Sequence, residues 1–297
     1  MPRSKPSELD LIQMIAKKTG TNSSVVRGIG DDTAVLKYTR DKYQLFTCDM
    51  LIEGTDFFPG TDPKDIGHKA LACSLSDIAA MGGRPKYALI SLGLPKTRAK
   101  KFIGGFYQGA LALAGKFKTA IVGGDLSSSE KIIVDVSMIG EVFKKNLILR
   151  SGAKPGDMIL VSGPLGGSLY GRHLKFTPRV READYLVNNY PITAMLDISD
   201  GLSLDLRRLT LASSVGAILY AELIPVSREA KSLAEALSMG EDYELLFTLQ
   251  PKEARRLIKN KPYFKLIGEI REEKYGLKIA DKDCREKVLE PKGYQHF

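Results

Sequence analysis

The 297-residue sequence has few of the residue types that several common active sites require. It contains no tryptophan, only three widely separated histidines and only three cysteines. The cysteines Cys48, Cys73 and Cys284 form no C-x-x-C pair, so the sequence predicts neither a disulfide framework nor a thiolate zinc site. The scarcity of histidine and the lack of a G-x-S-x-G segment disfavour histidine zinc sites and Ser-His-Asp hydrolysis.

Long hydrophobic runs are also absent. No uninterrupted apolar segment approaches the roughly 18 to 20 residues that a membrane span needs, and the opening MPRSKPSELD lacks the apolar stretch of a secretory signal. Hydrophobic residues make up 43% of the chain and charged residues 27%, which is ordinary for a globular protein. We therefore expect a soluble cytoplasmic protein without a membrane partner, and the length predicts two domains.

Positive charge exceeds negative charge, since 44 Lys and Arg residues face 35 Asp and Glu residues and give a net charge of +9. The basic residues are scattered, with only short runs such as the segment 98–101, and no RNP-type or zinc-finger spacing accompanies them. We therefore predict no nucleic-acid partner, although a salt-dependent binding assay would reveal one. A positive surplus also suits an enzyme that gathers anionic substrates.

Strand-like and helix-like segments alternate along the chain, which predicts an α/β (α+β layered) architecture. Ser7 is positioned to cap a first helix, and Asp62-Pro63 is positioned to open a long one. A short strand is predicted over 120–122, ending in a glycine turn. A second unit starts near Lys144, so we predict domains over residues 1–143 and 144–297.

Three segments resemble phosphate-binding motifs without completing them. Gly28-Ile-Gly30-Asp-Asp-Thr33 has threonine where a dinucleotide fingerprint needs its third glycine. Gly115-Lys116-Phe117 lacks the Ser or Thr that follows the lysine of a P-loop. We interpret Gly163-Pro-Leu-Gly-Gly167 as a structural turn that leads from a strand into a helix.

Seven aspartates occur beside glycine or small hydroxyl residues, at the predicted ends of apolar strands. The five settings are Gly30-Asp31-Asp32, Thr47-Cys48-Asp49, Ser76-Asp77, Gly123-Gly124-Asp125 and Asp197-Ile198-Ser199-Asp200-Gly201. Any one of them is explained by a turn or a helix cap. Together they favour a magnesium-dependent nucleotide site without a P-loop, because Mg²⁺ prefers carboxylate oxygen and glycine lets the backbone approach phosphate.

Eight ordered blocks of the sequence resemble the thiamine-monophosphate kinase family, within the aminoimidazole-ribonucleotide-synthetase-like superfamily. They are GIGDDTAVL (28–36), TCDMLIEGTDF (47–57), HKALACSLSDIAAMGGRP (68–85), GGDLS (123–127), RSGAKPGD (150–157), LDISDGLSLDL (196–206), GEDYELLF (240–247) and KGYQHF (292–297). The resemblance implies an N-terminal mixed-sheet domain that forms a sheet or barrel with its mate in a homodimer, and a C-terminal α/β domain. It also implies transfer of the γ-phosphoryl group of ATP to thiamine monophosphate, with several Mg²⁺ ions between the domains.

Matching the family residue by residue implies roles for individual side chains. The implied magnesium shell is Asp32, Thr47, Cys48, Asp49, Asp77, Asp125, Asp197 and Asp200, where Cys48 stands in a place that relatives often give to Thr or Ser. The implied nucleotide contacts are Tyr107, Gly124, Asp125, Arg150 and Ser199. Asp49, Asp125 and Arg150 are the implied catalytic residues. The implied contacts to the thiamine substrate are Glu241, Tyr294 and Asp56, the last standing where many relatives have histidine.

The implied chemistry agrees with the scarcity of histidine. The accepting phosphate oxygen is already anionic, so no general base is needed. Two unit charges 4 Å apart repel by about 4 kcal/mol at an effective dielectric near 20, and metal ions would offset that repulsion. Another superfamily member, such as a selenophosphate synthetase, is an alternative, but this chain lacks the glycine-rich N-terminal segment with a reactive cysteine or selenocysteine that such an enzyme usually carries. A non-catalytic nucleotide sensor is a further alternative, which ATP turnover would distinguish.

Overall fold

The computed structural model describes residues 7–296. The six residues before Ser7, which belong to the segment assessed for a secretory signal, and Phe297 of the closing KGYQHF block lie outside the described residues. Among the described residues, none of the helices combines the length and the apolar character that crossing a membrane requires.

Helices and strands alternate through both halves of the chain. The helices of residues 7–296 are α1 (Glu8–Lys18), α2 (Pro63–Ala80), α3 (Ala99–Phe117), α4 (Val180–Asn189), α5 (Leu202–Ser213), α6 (Leu233–Ser238) and α7 (Pro251–Asn260). The strands are β1 (Val25–Arg27), β2 (Ala34–Lys37), β3 (Lys42–Ile52), β4 (Arg84–Leu94), β5 (Ala120–Ser128), β6 (Ile133–Phe143), β7 (Met158–Val161), β8 (Ala194–Asp197), β9 (Val215–Tyr220), β10 (Leu245–Leu249), β11 (Lys265–Glu272), β12 (Leu277–Ala280) and β13 (Glu286–Val288). This mixed α/β architecture confirms the predicted fold class.

The N-terminal sheet has six strands in the order β1-β2-β3-β6-β4-β5, antiparallel except for the parallel pair β4–β5. Its strands alternate between buried and more exposed residues, as in β6, because one face packs on the buried helix α2. The opposite face leaves large apolar side chains such as Phe46, Tyr87 and Leu89 about half exposed. Within one chain this sheet is open and is not closed into a barrel.

The C-terminal sheet has seven strands in the order β13-β12-β9-β11-β7-β10-β8, with β9 and β12 parallel. All residues of β8 and β10 are buried, because both faces of these strands are covered. Leu245 and Phe247 share a core with α2 and the N-terminal sheet, whereas Leu246 packs into a second core that includes α5. The larger core therefore runs through both halves of the molecule.

Most predicted elements form, and their caps have the expected chemistry. Ser7 accepts a hydrogen bond from the backbone of Asp10 and caps α1, and Asp62 caps α2 with Pro63 in the first turn. Two predictions are wrong. Strand β5 does not end before its glycines but continues to Ser128, because it pairs with β4 along its whole length.

The second error concerns the segment after Gly167. The expected helix is replaced by two short 3-10 helices, Ser168–Tyr170 and Arg172–Leu174. Gly171 separates them with φ of 123°, a conformation that an α-helix does not contain. The division into domains at residues 143 and 144 stays a prediction.

Candidate active site

Three aspartates from separate parts of the chain converge between the two sheets. Asp32 precedes β2, Asp77 lies near the end of α2, and Asp197 is the last residue of β8. One carboxylate oxygen from each lies within 4.8 Å of the others. Asp32 and Asp197 are buried. This carboxylate group offers hard oxygen ligands, which suit Mg²⁺.

Hydroxyl side chains hold the carboxylates in place. Thr47 of β3 donates a hydrogen bond to Asp77, and Ser76 of α2 donates one to Asp197. Ser74, two residues before Ser76 on α2, donates to Asp49 at 2.6 Å. Asp49 therefore lies on the side of β3 that faces α2, close to the carboxylate group.

Burial and mutual repulsion oppose the simultaneous ionisation of these carboxylates. Loss of solvent raises the pKa of Asp77 and Asp197 well above the ordinary value, and the neighbouring aspartates raise it further. Burial also raises the pKa of Asp49 to about 6. A bound divalent cation would favour the ionised forms, so the donor set fits magnesium.

Arg150 is the cation that the structure brings to this group. Its guanidinium donates to Asp32 Oδ1 at 2.7 Å, and its backbone N–H donates to Asp31 Oδ1 at 3.1 Å. Burial alone would lower the pKa of Arg150, but the charge of Asp32 raises it above its ordinary value. Asp31 also accepts a hydrogen bond from the backbone of Asp32 at 3.3 Å, so it joins the turn to Arg150.

Asp200 lies outside the carboxylate group and is held by a different arginine. Arg208 of α5 forms ion pairs with Asp200 and, at 2.7 Å, with Asp205. Asp205 also accepts hydrogen bonds from the backbone N–H groups of Asp200 and Gly201, at 3.0 and 3.1 Å. Sequence reasoning missed Asp205 and Arg208. The sequence signal that could have found Asp205 was an acidic residue in the first turn of a helix rich in leucine.

The expectation that the aspartates lie at strand ends is correct for Asp197, the last residue of β8, but it does not describe the whole set. Asp49 lies inside β3, Asp125 lies inside β5, and Asp77 lies in a helix. The pattern of small polar residues beside aspartate does not distinguish a strand end from a strand interior that faces a polar site. The convergence comes from tertiary packing rather than from strand ends.

Tyr107, Gly124 and Asp125 come together at the edge of the N-terminal sheet. They line an open groove of about 430 Å³ with Ile90 and Leu126. Gly124 is required by packing, since a Cβ there would lie 1.7 Å from the carbonyl oxygen of Ile90 on β4. Asp125 lines this groove, and is not a member of the group formed by Asp32, Asp77 and Asp197.

Cys48 faces away from the carboxylate group. It alternates with the less exposed Thr47 and Asp49 along β3, and its thiol donates to Asp135 Oδ2 at 3.0 Å. Burial and the bond to Asp135 raise the pKa of Cys48 to about 11. A neutral thiol on the other face of the strand is a poor metal ligand, so a contribution from Cys48 would have to come from its backbone carbonyl.

A cavity of about 330 Å³ brings together all three predicted substrate residues, Asp56, Glu241 and Tyr294. Asp49, Ser199 and Asp200 also line it, so it adjoins the residues around the carboxylate group. Its remaining walls are largely apolar, formed by Met50, Leu51, Phe58, Leu169 and Met239 with Thr55, Cys73, His173, Tyr243 and His296. An apolar cavity with a few placed polar groups is typical of a small-molecule site.

Hydrogen bonds and an ion pair hold the polar residues Glu241 and Asp56 of the cavity in place. The backbone N–H of Glu241 donates to the carbonyl of Ser199 at 2.6 Å, and its carboxylate lies 2.8 Å from Lys69 Nζ. Asp56 turns its carboxylate inward, where it accepts a hydrogen bond from the backbone of Ile52 at 2.7 Å. Asp56 therefore shapes its loop, and its carboxylate is already engaged there.

Sequence reasoning missed Tyr243, Lys69 and His173 around this cavity. The Tyr243 ring stacks on Phe176 with centroids 4.1 Å apart, and its hydroxyl accepts a hydrogen bond from the Cys73 thiol at 3.1 Å. Burial and the nearby charge of Lys69 lower the pKa of His173. Lys69 carried no distinct sequence signal, because α2 also contains Lys64 and lysine is common in helices.

Comparison with known proteins agrees with this geometry. Residues 30–142 match the family described as AIR synthase related protein, N-terminal domain, and residues 167–279 match AIR synthase related protein, C-terminal domain. The two matches place the chain among the AIR synthase related proteins.

More specific relatives identify the family within that class. The thiamine-monophosphate kinase of Rhodopirellula baltica is 40% identical over 83% of this chain and 83% of its own length. That of Aquifex aeolicus is 37% identical over 98% of each chain. A solved structure of AaThiL complexed with AMPPCP and TMP has a TM-score of 0.87 and 33% identity, covering 100% of this chain and 99% of its own. The chain belongs to the thiamine-monophosphate kinase family.

Proposed function

We propose that this protein transfers the γ-phosphoryl group of ATP directly to the phosphate of thiamine monophosphate and forms thiamine diphosphate. One observation carries the proposal: a buried group of carboxylates adjoins a cavity of suitable size for a small organic phosphate. The kinase names of the relatives and the AMPPCP and TMP bound in AaThiL support the same reaction.

Several Mg²⁺ ions are the proposed cofactor. When bound, they would neutralise the charge that accumulates between donor and acceptor phosphates. The residues that would hold them are Asp32, Thr47, Asp49, Asp77, Asp125, Asp197 and Asp200, with Cys48 through its carbonyl. Arg150 can reach a phosphate with its bidentate guanidinium once it exchanges its bond to Asp32.

The nucleotide and the acceptor would occupy different parts of the site. Tyr107, Gly124 and Asp125 line the open groove at β5, which would accept ATP together with Arg150 and Ser199. The apolar cavity would accept the thiamine portion, with the carboxylate of Glu241 facing its positive charge and Tyr294 closing one wall. Asp49 and Ser199 lie where the acceptor phosphate would meet the metal-bound nucleotide.

Transfer is proposed to be direct, without a phosphorylated protein intermediate. The acceptor is already anionic, and a carboxylate engaged by metal is a poor nucleophile, so a two-step route would gain little. Initial-rate plots against ATP at several thiamine monophosphate concentrations should then intersect. Parallel lines with stoichiometric label on an aspartate after incubation with γ-labelled ATP would contradict direct transfer.

The decisive experiment incubates purified protein with ATP, Mg²⁺ and thiamine monophosphate and resolves the products by chromatography. Thiamine diphosphate and ADP should appear in equal amounts, and omission of Mg²⁺ should abolish both. Thiamine without its phosphate is the matched control acceptor. ATP binding without turnover would instead indicate a nucleotide sensor.

We further propose that the active form is a homodimer. The apolar outer face of the N-terminal sheet supports it, since Phe46, Tyr87 and Leu89 stay about half exposed in the single chain. The separate domains over 1–143 and 144–297 and a cytoplasmic location remain part of the proposal, the latter supported by the unpaired cysteines.

A further inference from the structure

Lys69 is a fully buried lysine in the middle of α2. Lysine is almost never fully buried unless its ammonium is paired. Its Nζ donates to the backbone carbonyl of Asp56 at 2.7 Å and lies 2.8 Å from Glu241 Oε2. Both partners line the apolar cavity, whereas Lys69 does not line it.

The two partners belong to segments that need external support. Glu241 has φ of 58° and Tyr243 has φ of 51°, and non-glycine residues adopt this left-handed conformation only when the surroundings hold them there. The backbone of Glu241 is held by Ser199, and its carboxylate is held by Lys69. The turn after β3 is closed by the side chain of Asp56, and its carbonyl points to the same ammonium.

Two other ion pairs of the C-terminal half have a buried carboxylate and do not reach the cavity. Arg179 donates to both carboxylate oxygens of Glu244, and Arg172 donates to Asp242. None of these four residues lines the cavity. Lys69 differs because its ammonium connects two residues that line the cavity, one from each half of the chain.

We propose that Lys69 is a positioning residue that sets the distance between Glu241 and the Asp56 turn, and thereby the affinity for the acceptor, an inference that rests on the proposed function. It does so without touching the substrate. Glu241 presents a carboxylate at a fixed place for the positive ring of the acceptor, because the other end of the same carboxylate is bound to Lys69. Lys69 is not among the residues that line the open groove proposed for ATP.

The test replaces Lys69 with methionine, which keeps the length of the side chain and removes the ammonium. Lys69→Met should raise the KM and the calorimetric Kd for thiamine monophosphate about tenfold or more, since an ångström-scale displacement of a binding group has effects of this size. The KM for ATP and the Kd for AMPPCP should change less than about twofold, because Lys69 does not line the groove proposed for ATP. A merely structural defect would instead weaken the binding of both ligands equally.

Arg179→Met is the matched control, because it also removes the cation of a buried ion pair. It should lower the melting temperature without changing the Kd for thiamine monophosphate. The proposal is overturned if Lys69→Met binds thiamine monophosphate as the unaltered protein does. It is equally overturned if thiamine monophosphate and AMPPCP lose affinity in the same proportion.

A second variant covers the case in which Lys69→Met does not fold. Lys69→Met with Glu241→Gln removes both charges, so no buried charge is left unpaired. Compared with Glu241→Gln alone, the added Lys69 change should cost about threefold or less in thiamine monophosphate affinity, because double-mutant coupling reports the shared interaction. A full tenfold loss there would show that Lys69 acts independently of Glu241. A double variant that does not fold would show that Lys69 is needed for the fold itself, and either result would overturn the proposal.

The same measurements separate the two proposals. Unaltered protein that binds AMPPCP but never thiamine monophosphate would refute the proposed function. Unaltered protein that phosphorylates thiamine monophosphate, together with an unaffected Lys69→Met variant, would refute only the role of Lys69.

Discussion

The two sheets of the molecule differ in how many of their faces are buried. In the N-terminal sheet, β4 and β6 alternate between buried and more exposed residues, and the outer face keeps apolar side chains partly in solvent. In the C-terminal sheet, every residue of β8 and β10 is buried. A continuous buried strand needs layers on both faces, whereas an alternating strand needs only one. The difference leaves the N-terminal sheet with a face that a second copy can cover.

Helix α2 is where the two regions meet. It belongs to the N-terminal half, yet most of its residues are buried because the C-terminal half packs against it as well. Its polar residues point to different parts of the site: Ser74 to Asp49, Ser76 to Asp197, and Lys69 to Glu241. The candidate site therefore depends on the contact between the halves more than on either sheet alone.

The largest expected effect comes from the aspartates of the N-terminal sheet. Asp49→Asn, beside α2, and Asp125→Asn, on the edge strand, should each reduce kcat more than about a hundredfold, because losing a metal ligand removes transition-state charge stabilisation. Steady-state kinetics at saturating ATP and Mg²⁺ measure the loss, and circular dichroism checks the fold.

Asp283→Asn is the control for this pair, since Asp283 lies in an exposed turn far along the C-terminal half. Its kcat should stay within about twofold of the unaltered protein. Full turnover in the Asp125 variant alone would confine the metal site to the carboxylate group of Asp32, Asp77 and Asp197. It would also show that the open groove at β5 takes no part in the reaction.

The second prediction compares one substitution in the two sheets. Phe247→Ala empties a fully buried position in β10 and should cost about 3 to 5 kcal/mol of unfolding free energy. Phe46→Ala, at a position that is 45% exposed in β3, should cost less than about 1 kcal/mol in the monomeric chain. Denaturant unfolding at low protein concentration gives both values, and equal costs would contradict the one-sided burial of the N-terminal sheet.

Local patterns predicted much of this fold. The caps at Ser7 and Asp62 depend on neighbouring residues only, so the sequence identified them correctly. The continuation of β5 through Gly123 and Gly124 depends on pairing with β4, and a glycine pair reads as a turn when the partner strand is unknown.

The candidate site also has a part that the sequence predicted and a part that it did not. The aspartates were recognisable because oxygen-rich metal sites need several of them, and the structure brings Asp32, Asp77 and Asp197 together. Their supports were not recognisable, because Ser74 and Lys69 read as ordinary helix residues until the buried side of α2 is known. Groups that act through a neighbour carry little signal of their own in one sequence.

The third prediction tests the open face of the N-terminal sheet. Light scattering should report about twice the 32.6 kDa chain mass for the unaltered protein, because a half-exposed apolar sheet face is stabilised by a twofold partner. Leu89→Lys should shift the mass to that of one chain. Leu211→Lys on α5 is the control, since the two leucines are almost equally exposed, at 47% and 48%. A fully active monomer of the unaltered protein at high concentration would contradict the dimer.

The smallest expected effect is the number of protons that the buried carboxylates release when Mg²⁺ binds. The exposed face of the N-terminal sheet should release none. Burial raises the pKa of Asp77 and Asp197 well above the ordinary value and that of Asp49 to about 6, so the metal-free protein holds protons that the unfolded chain releases near pH 4. Its stability should accordingly fall as pH rises from about 4 through 6.

Magnesium must displace those protons, because only ionised carboxylates bind it, and at pH 7 the release should be on the order of one proton per chain. Calorimetric titration with Mg²⁺ in two buffers of different ionisation enthalpy measures the release directly. The count should fall as the pH is raised, and Asp77→Asn should lower it at pH 7, whereas Asp283→Asn should leave it unchanged. Identical heats in both buffers would mean that Asp49, Asp77 and Asp197 are already ionised without metal. The charge of Arg150 would then be enough to keep them ionised.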